Sequence, residues 1–342
     1  MIKRIMSKPG LRQIKAFLKK LEFSCGIKPK VNKGNIPHVK FIPNTYKAVC
    51  LISADFEMAW ASRYTKGAKQ PLEKAIKDGE LTRRNLPVIL DICDKYNIPV
   101  TWATVGHLFL EKCSIVDGIK HPDIHRLPYF ENDFWKFDKG DWFDYDPCTN
   151  YQTSPAWYAP DLINDILSRK TKHEIGCHTF SHIDCRDSVC SDDSFNAEIN
   201  KCIALAGESG VNLKSFVHPG HTIGHLNNLK EMGFTSYRTE RDDSLGYPER
   251  HESGLWNFIN TAQIDEEAGW SAEDSAKKFC QIIDKAIKTK TICNLWFHPQ
   301  IKSVEFVNHV FGKLVKHLHD REKDIWVVTM SEYADFLNEE KL

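Results

Sequence analysis

Apolar residues along this chain recur in two rhythms. Short continuous apolar runs, the signature of strands buried on both faces, occur at 46–53, 99–105, 174–177, 215–217, 236–238, 292–297 and 325–328. Between most of them lie segments in which apolar residues return every three or four positions, predicting helices over 83–96, 194–206, 226–232, 272–288 and 304–319. Strands and helices that alternate, with strands apolar throughout, predict a parallel α/β fold. So many β–α units in one chain favour a closed or partly closed barrel over an open sheet. In such barrels the chemistry sits where strands end and loops begin.

Two regions break the rhythm. Residues 113–158 are dense in turn formers and aromatics, among them Tyr129, Phe134, Trp135, Trp142, Trp157 and Tyr158. A long irregular insertion in a compact enzyme is often a lid or a substrate wall. Sugar rings pack their apolar faces on aromatic planes. Trp157 and Tyr158 are therefore candidate substrate contacts, while the alternative is a satellite core that ties the insertion to the barrel. Residues 1–40 form the second exception, an arm apart from the 41–342 barrel domain. Ser7-Lys8-Pro9 reads as a helix start, and Leu11, Ile14, Phe17, Leu18 and Leu21 follow a helical period, with Arg12, Lys15, Lys19 and Lys20 largely on other faces.

Charge sharpens the picture of the arm. The formal net charge of the 342 residues is zero, yet residues 1–40 hold eleven Lys and Arg against the single acid Glu22. A helix resting on an anionic membrane or a lipid phosphate is one reading. A helix packed on its own domain with a solvated basic face is the other. Nucleic acid is an unsuitable partner, because no basic stripe continues through the rest of the chain. No stretch approaches the ~20 apolar residues of a spanning helix, and the start has no signal-peptide core. The eleven cysteines include no Cys-x-x-Cys pair. Their odd number suits buried free thiols in a reduced, cytoplasmic setting, with membrane contact at most peripheral.

Candidate chemistry lies at three strand ends. The first strand runs into Asp55-Phe56-Glu57, the middle one into His178-Thr179-Phe180-Ser181-His182, and a late one into His298-Pro299. Histidines four apart over a helical turn can bind one cation. The same spacing recurs at His121/His125 and His221/His225, but only His178/His182 directly follows a clear apolar strand, with Gly176 allowing a tight turn there. A hydrolytic metal site takes three protein ligands and an open position. Glu57 supplies the third, leaving Asp55 as general base and His298 as the acid that protonates a departing amine.

These motifs resemble the polysaccharide deacetylase, or NodB-homology, family. Ser53-Ala54-Asp55-Phe56-Glu57 is similar to its first motif, 174–182 to its second, and Leu295-Trp296-Phe297-His298-Pro299 to its last, and the likeness spans about 46–336. The resemblance implies a distorted (β/α) barrel, a divalent cation that is usually zinc, and hydrolysis of N-acetyl groups on a sugar or glycoconjugate. It assigns Asp55 as base, Glu57, His178 and His182 as ligands, and His298 as acid. The tetrahedral oxyanion would rest on the ion and on a backbone N–H near Pro219 and Gly220. Two motifs depart from the pattern. Val217-His218-Pro219-Gly220-His221 lacks the arginine that orients the base, for which Arg238, Arg241 or His218 are substitutes. The Asp-Trp motif that tunes the acid is missing, with Asp242 or Asp243 as candidates. Two alternatives are a metal-free hydrolase of cyclic amides or ureides, and a catalytically silent carbohydrate-binding protein.

Overall fold

Helices on the outside and largely buried strands within make up most of the molecule. The computed structural model describes residues 9–33, 37–240, 243–267, 269–301 and 303–339. The barrel strands in chain order are β1 (Ala48–Phe56), β2 (Thr101–Thr104), β3 (Glu174–Cys177), β4 (Ser215–Val217), β5 (Ser236–Glu240), β6 (Trp256–Asn260), β7 (Ala262–Gln263), β8 (Ile292–Phe297) and β9 (Ile325–Val328). The helices are α1 (Pro9–Ser24), α2 (Pro71–Tyr96), α3 (Pro160–Ser168), α4 (Asp192–Glu208), α5 (Leu226–Glu231), α6 (Ala272–Thr289), α7 (Gly312–His319) and α8 (Met330–Glu339).

Strands β8, β1, β2, β3, β4, β5 and β6 follow one another in parallel pairs. Closure comes from a strand that changes neighbours. Residues of β6 pair with β5, whereas β7, immediately after it, pairs with β8 through Ala262↔Leu295 and Gln263↔Trp296. The Thr261 amide donates to the Asn294 carbonyl at 2.7 Å, and the Ile264 amide donates to that of Trp296 at 2.7 Å. The result is the (β/α) barrel that the motifs imply. Strand β9 pairs with the first half of β1 and β2 with its second half.

The period-two geometry of β1 explains how one apolar run feeds both a core and a site. Ala48, Cys50, Ile52, Ala54 and Phe56 join the large outer core under the helices. Val49 and Leu51 face inward, onto a second core that includes Phe258, Ile292 and the α8 residues Tyr333, Ala334 and Leu337. Further along the inward face come Ser53 and Asp55, where the barrel interior turns polar.

Helix α2 starts twelve residues before its predicted onset, in a stretch where Gly79 interrupts the apolar period. Gly79 has a packing reason: a Cβ there would lie 2.7 Å from Ala156 of the insertion. The insertion itself has only two short hairpins, at 115–120 and 130–137.

Helix α1 reverses the expected orientation. Lys19 pairs with Glu267 at 3.1 Å and Lys20 with Asp274 at 2.6 Å, while Phe23 is buried edge-on against Trp270. Lys19 and Lys20 thus face the domain, and Ile14, Phe17, Leu18 and Leu21 are 44–61% exposed. Ser7, Lys8 and the side chains of Leu11, Arg12 and Lys15 lie outside the described residues. Among the described residues no helix is long and apolar enough to cross a membrane.

Candidate functional site

At the C-terminal ends of β1, β3 and β8 the barrel gathers five of the side chains singled out in the sequence. Glu57 Oε1 lies 3.1 Å from Nε2 of His178 and 3.1 Å from Nε2 of His182. One ligand atom from each of the three lies within 4.8 Å of the other two, and all three residues are buried. His178 Nδ1 donates to the Val217 carbonyl at 2.7 Å. A carbonyl only accepts, so in the neutral ring the proton sits on Nδ1 and the Nε2 lone pair is free to coordinate.

The two histidines converge by a different local route from the predicted helical turn. Residues 178–182 are a loop in which Thr179 and His182 take positive φ of 60° and 57°. Met58, directly after Glu57, and His221 also have positive φ, at 52° and 57°. Such conformations cost about 1–3 kcal/mol each and persist only where the surroundings over-determine them. The surroundings here do. Glu198 accepts from both the amide and the hydroxyl of Ser181, Trp142 Nε1 donates to the same hydroxyl at 2.8 Å, and Arg63 donates to the Ser181 carbonyl at 2.7 Å. Gly176 serves packing rather than a turn, since a Cβ on it would sit 3.1 Å from the Ser215 carbonyl of the adjoining strand.

Asp55 lies beside this triad. Arg238 donates to Asp55 Oδ2 at 2.7 Å and to Ser53 Oγ at 2.9 Å, with its guanidinium 4.9 Å from the Trp296 ring centre. Burial opposes ionisation of Asp55, but Arg238, His178 and His298 outweigh it and hold the carboxyl below its ordinary value. Its Oδ1 is buried without a hydrogen-bond partner. Arg238 thus holds the Asp55 carboxylate, brought there by β5, on which Ser236, Arg238 and Glu240 alternate along one face. His218 does not serve, because its Nε2 is turned to the Gly224 carbonyl at 3.0 Å. Arg241 lies outside the described residues.

His298 completes the group, with Nε2 3.5 Å from Glu57 Oε2 and 4.0 Å from Asp55 Oδ2. Burial pulls its pKa down, but the two carboxylates reverse this and push it up to about 9. Burial lowers His182 to about 4, in keeping with a neutral ring. Asn85 positions the His298 loop by donating to the carbonyls of Pro299 and Ile301 at 2.7 and 2.6 Å. Of the two candidates for tuning His298, only Asp243 is among the described residues, and it does not reach the ring. Asp243 is held by Lys28 at 3.0 Å, and Asp242 lies outside the described residues. The side-chain amide of Gln263 stands 3.4 Å from His298 Nδ1 instead.

Asp55, Glu57, His182 and His298 border a cleft of about 370 Å³ walled by Phe134, Trp135, Gly220, His221 and Trp296. Gly220 has φ of 54°, and a Cβ there would come within 2.5 Å of the Trp135 ring, so this glycine lets the insertion close over the barrel. Pro219 is buried behind it. Trp157 and Tyr158 are not in the cleft. Trp157 packs edge-on against Trp60, and the Tyr158 hydroxyl accepts from the Thr149 amide, so both belong to the core under the insertion.

A curled parallel barrel with this polar mouth defines the fold class: a (β/α) barrel of the NodB type. Residues 75–236 match the model of the polysaccharide deacetylase family, a family of carbon–nitrogen amide hydrolases. Among solved structures, a Mycobacterium smegmatis protein described as a polysaccharide deacetylase aligns with a TM-score of 0.58 at 15% identity, covering 88% of this chain and 93% of that one. Puue allantoinase aligns with a TM-score of 0.57 at 13% identity, covering 90% and 95%. The carbohydrate deacetylase Agd3 aligns with 0.52 at 13%, covering 86% and 54%. At these identities the likeness is one of fold. A search of curated proteins found no match.

Proposed function

We propose that the chain is a metal-dependent hydrolase that removes the N-acetyl group from a sugar or glycoconjugate precursor. One observation carries the reading: two imidazole nitrogens and a carboxylate oxygen converge in a buried corner, flanked by an arginine-held aspartate and a histidine. Two overlapping donor sets share Glu57, the other comprising Asp55, Glu57 and His298. A cation in the second set would face the Arg238 guanidinium across Asp55, so the first set suits a divalent ion better. Zinc is the ion that two imidazoles and one carboxylate ordinarily hold. Bound by Glu57, His178 and His182, it would supply Lewis acidity and acidify a coordinated water.

The chain's own residues carry the rest. Asp55, kept ionised by Arg238, accepts the proton of the attacking water, and its unpartnered Oδ1 is available for it. His298 delivers a proton to the leaving nitrogen. Phe134, Trp135 and Trp296 offer aromatic faces to a sugar ring. In this reading the exposed stripe of α1 would rest on the membrane that carries a lipid-linked substrate. Lys19 of α1 lines a polar pocket of about 420 Å³ that shares Trp296 with the cleft, so a membrane under α1 would lie beside the site.

The test is acetate release from a panel of free, nucleotide-linked and lipid-linked N-acetyl sugars, alongside cyclic amides and ureides, with metal content measured on each preparation. Acetate release that is lost with the metal is the expected result. Turnover of a ureide by metal-free protein would replace this reading with the alternative chemistry.

A further inference from the structure

A second group of metal-type donors lies behind the catalytic loop, closed off from the cleft. His107 comes from the turn after β2, and Cys113, His121 and Asp146 come from the insertion. One ligand atom from each lies within 4.8 Å of the other three. Asp146 Oδ2 is 2.7 Å from His121 Nε2, 3.4 Å from His107 Nε2 and 3.7 Å from Cys113 Sγ. Ligands at zinc distances in a tetrahedron stand about 3.3–3.8 Å apart. Two of these three spacings fall in that range, and the third is a hydrogen bond that would open on binding.

His107 supplies the independent observation. Its Nδ1 donates to the Trp157 carbonyl at 3.2 Å, the outer hydrogen bond that typically orients a ligating histidine. Its Nε2 is fully buried, aimed at the Asp146 carboxylate, and makes no hydrogen bond. A lone pair turned toward a carboxylate is a repulsive pairing unless something positive lies between them. The His107 and His121 rings meet nearly perpendicularly with centres 5.0 Å apart, both presenting Nε2 to the same point. Cys148 Sγ, 3.0 Å from Cys113 Sγ, brings a second thiol to the edge of the group.

We propose that His107, Cys113, His121 and Asp146 form a structural zinc site that fastens the insertion to the barrel. The donor set is two nitrogens, one sulfur and one carboxylate oxygen, a combination that favours zinc over the hard cations magnesium and calcium. Binding would release the Cys113 thiol proton to solvent and replace the His121–Asp146 hydrogen bond with two bonds to the ion. Three of the four ligands belong to a segment with almost no regular secondary structure. A metal clip there replaces the hydrogen-bonded ladder that holds other elements in register. The site is separate from the catalytic one, and each can fail without the other.

Cobalt separates the two, because the catalytic set has no cysteine. Full-length protein produced in cobalt-supplemented medium should show a thiolate-to-cobalt charge-transfer band in the near ultraviolet. The band should vanish in Cys113→Ser and persist in His178→Ala. Zinc-grown protein should hold two equivalents of metal, and His121→Ala and His178→Ala should each lose a different one. Absence of the band from wild-type protein overturns the proposal, as does its persistence in Cys113→Ser. A Cys113–Cys148 disulfide in protein isolated under reducing conditions would overturn it equally.

Discussion

The two histidine–carboxylate groups are close relatives in chemistry and opposites in setting. Around Glu57, His178 and His182 three donors converge, and the remaining side opens on a cleft walled by Trp135 and Trp296. Around Asp146 four donors converge among Phe143, Phe180 and Trp157, with Cys113 half-buried and the other three buried. In both, a histidine Nδ1 is tied to a backbone carbonyl so that Nε2 points inward. The lesson is that the number of protein donors and the access of solvent, rather than ligand type, separate a centre suited to chemistry from one suited to holding structure. They also share a strut. The amides of Gly106 and His107 donate to the carbonyls of Thr179 and Phe180, inside the loop that presents His178 and His182.

That comparison can be broken most decisively at the open site. Asp55→Asn should retain metal and lose roughly 10²–10⁴-fold in kcat, the usual weight of a general base. Near-normal turnover would remove Asp55 from its role. Arg238→Met acts through Asp55, so a drop of roughly 10–100-fold in kcat with little change in KM is expected. A change confined to KM would instead make Arg238 a substrate contact.

At the closed site the balance should invert. Cys113→Ser should lower Tm by roughly 5–10 °C while costing less than about tenfold in kcat, since only the shared strut reaches the cleft. An unchanged Tm would mean that the group is an ordinary hydrogen-bonded cluster. The smallest effect belongs to α1. Phe17→Asp with Leu21→Asp should leave turnover of a soluble N-acetyl sugar intact and reduce flotation with anionic liposomes. Equal flotation of variant and wild type would end the membrane reading.

The barrel and the five converging residues were legible because each sits where a strand ends, and apolar runs mark strand ends clearly. Arg238 was visible only as one of several substitutes. The evidence for it lay in the alternation of Ser236, Arg238 and Glu240, polar residues on one face of a strand otherwise fit for burial. The loop at 178–182 was read as a helical turn because i,i+4 spacing says nothing about the positive φ of Thr179 and His182. Trp157 and Tyr158 were misplaced because an aromatic's composition does not reveal which side of an insertion it faces. The closed cluster was hidden for a related reason. His121 has a partner at helical spacing in His125, but that residue is exposed and the true neighbour is His107. Its other members, Cys113 and Asp146, are spread across an insertion with no periodicity to bring them into register.

The seam where β6 gives way to β7 has a mechanical consequence. A barrel whose last joint is made by a strand that has just left another neighbour closes there on a handful of main-chain bonds, and only the β3–β4 junction, with the single pair Cys177↔Phe216, is thinner. Gln263 and Trp296, which touch His298 and Arg238, sit on that joint. A dilation at that seam would shift Gln263 and Trp296 against His298 and Arg238, and so alter the spacing between the proton-accepting and proton-donating side chains.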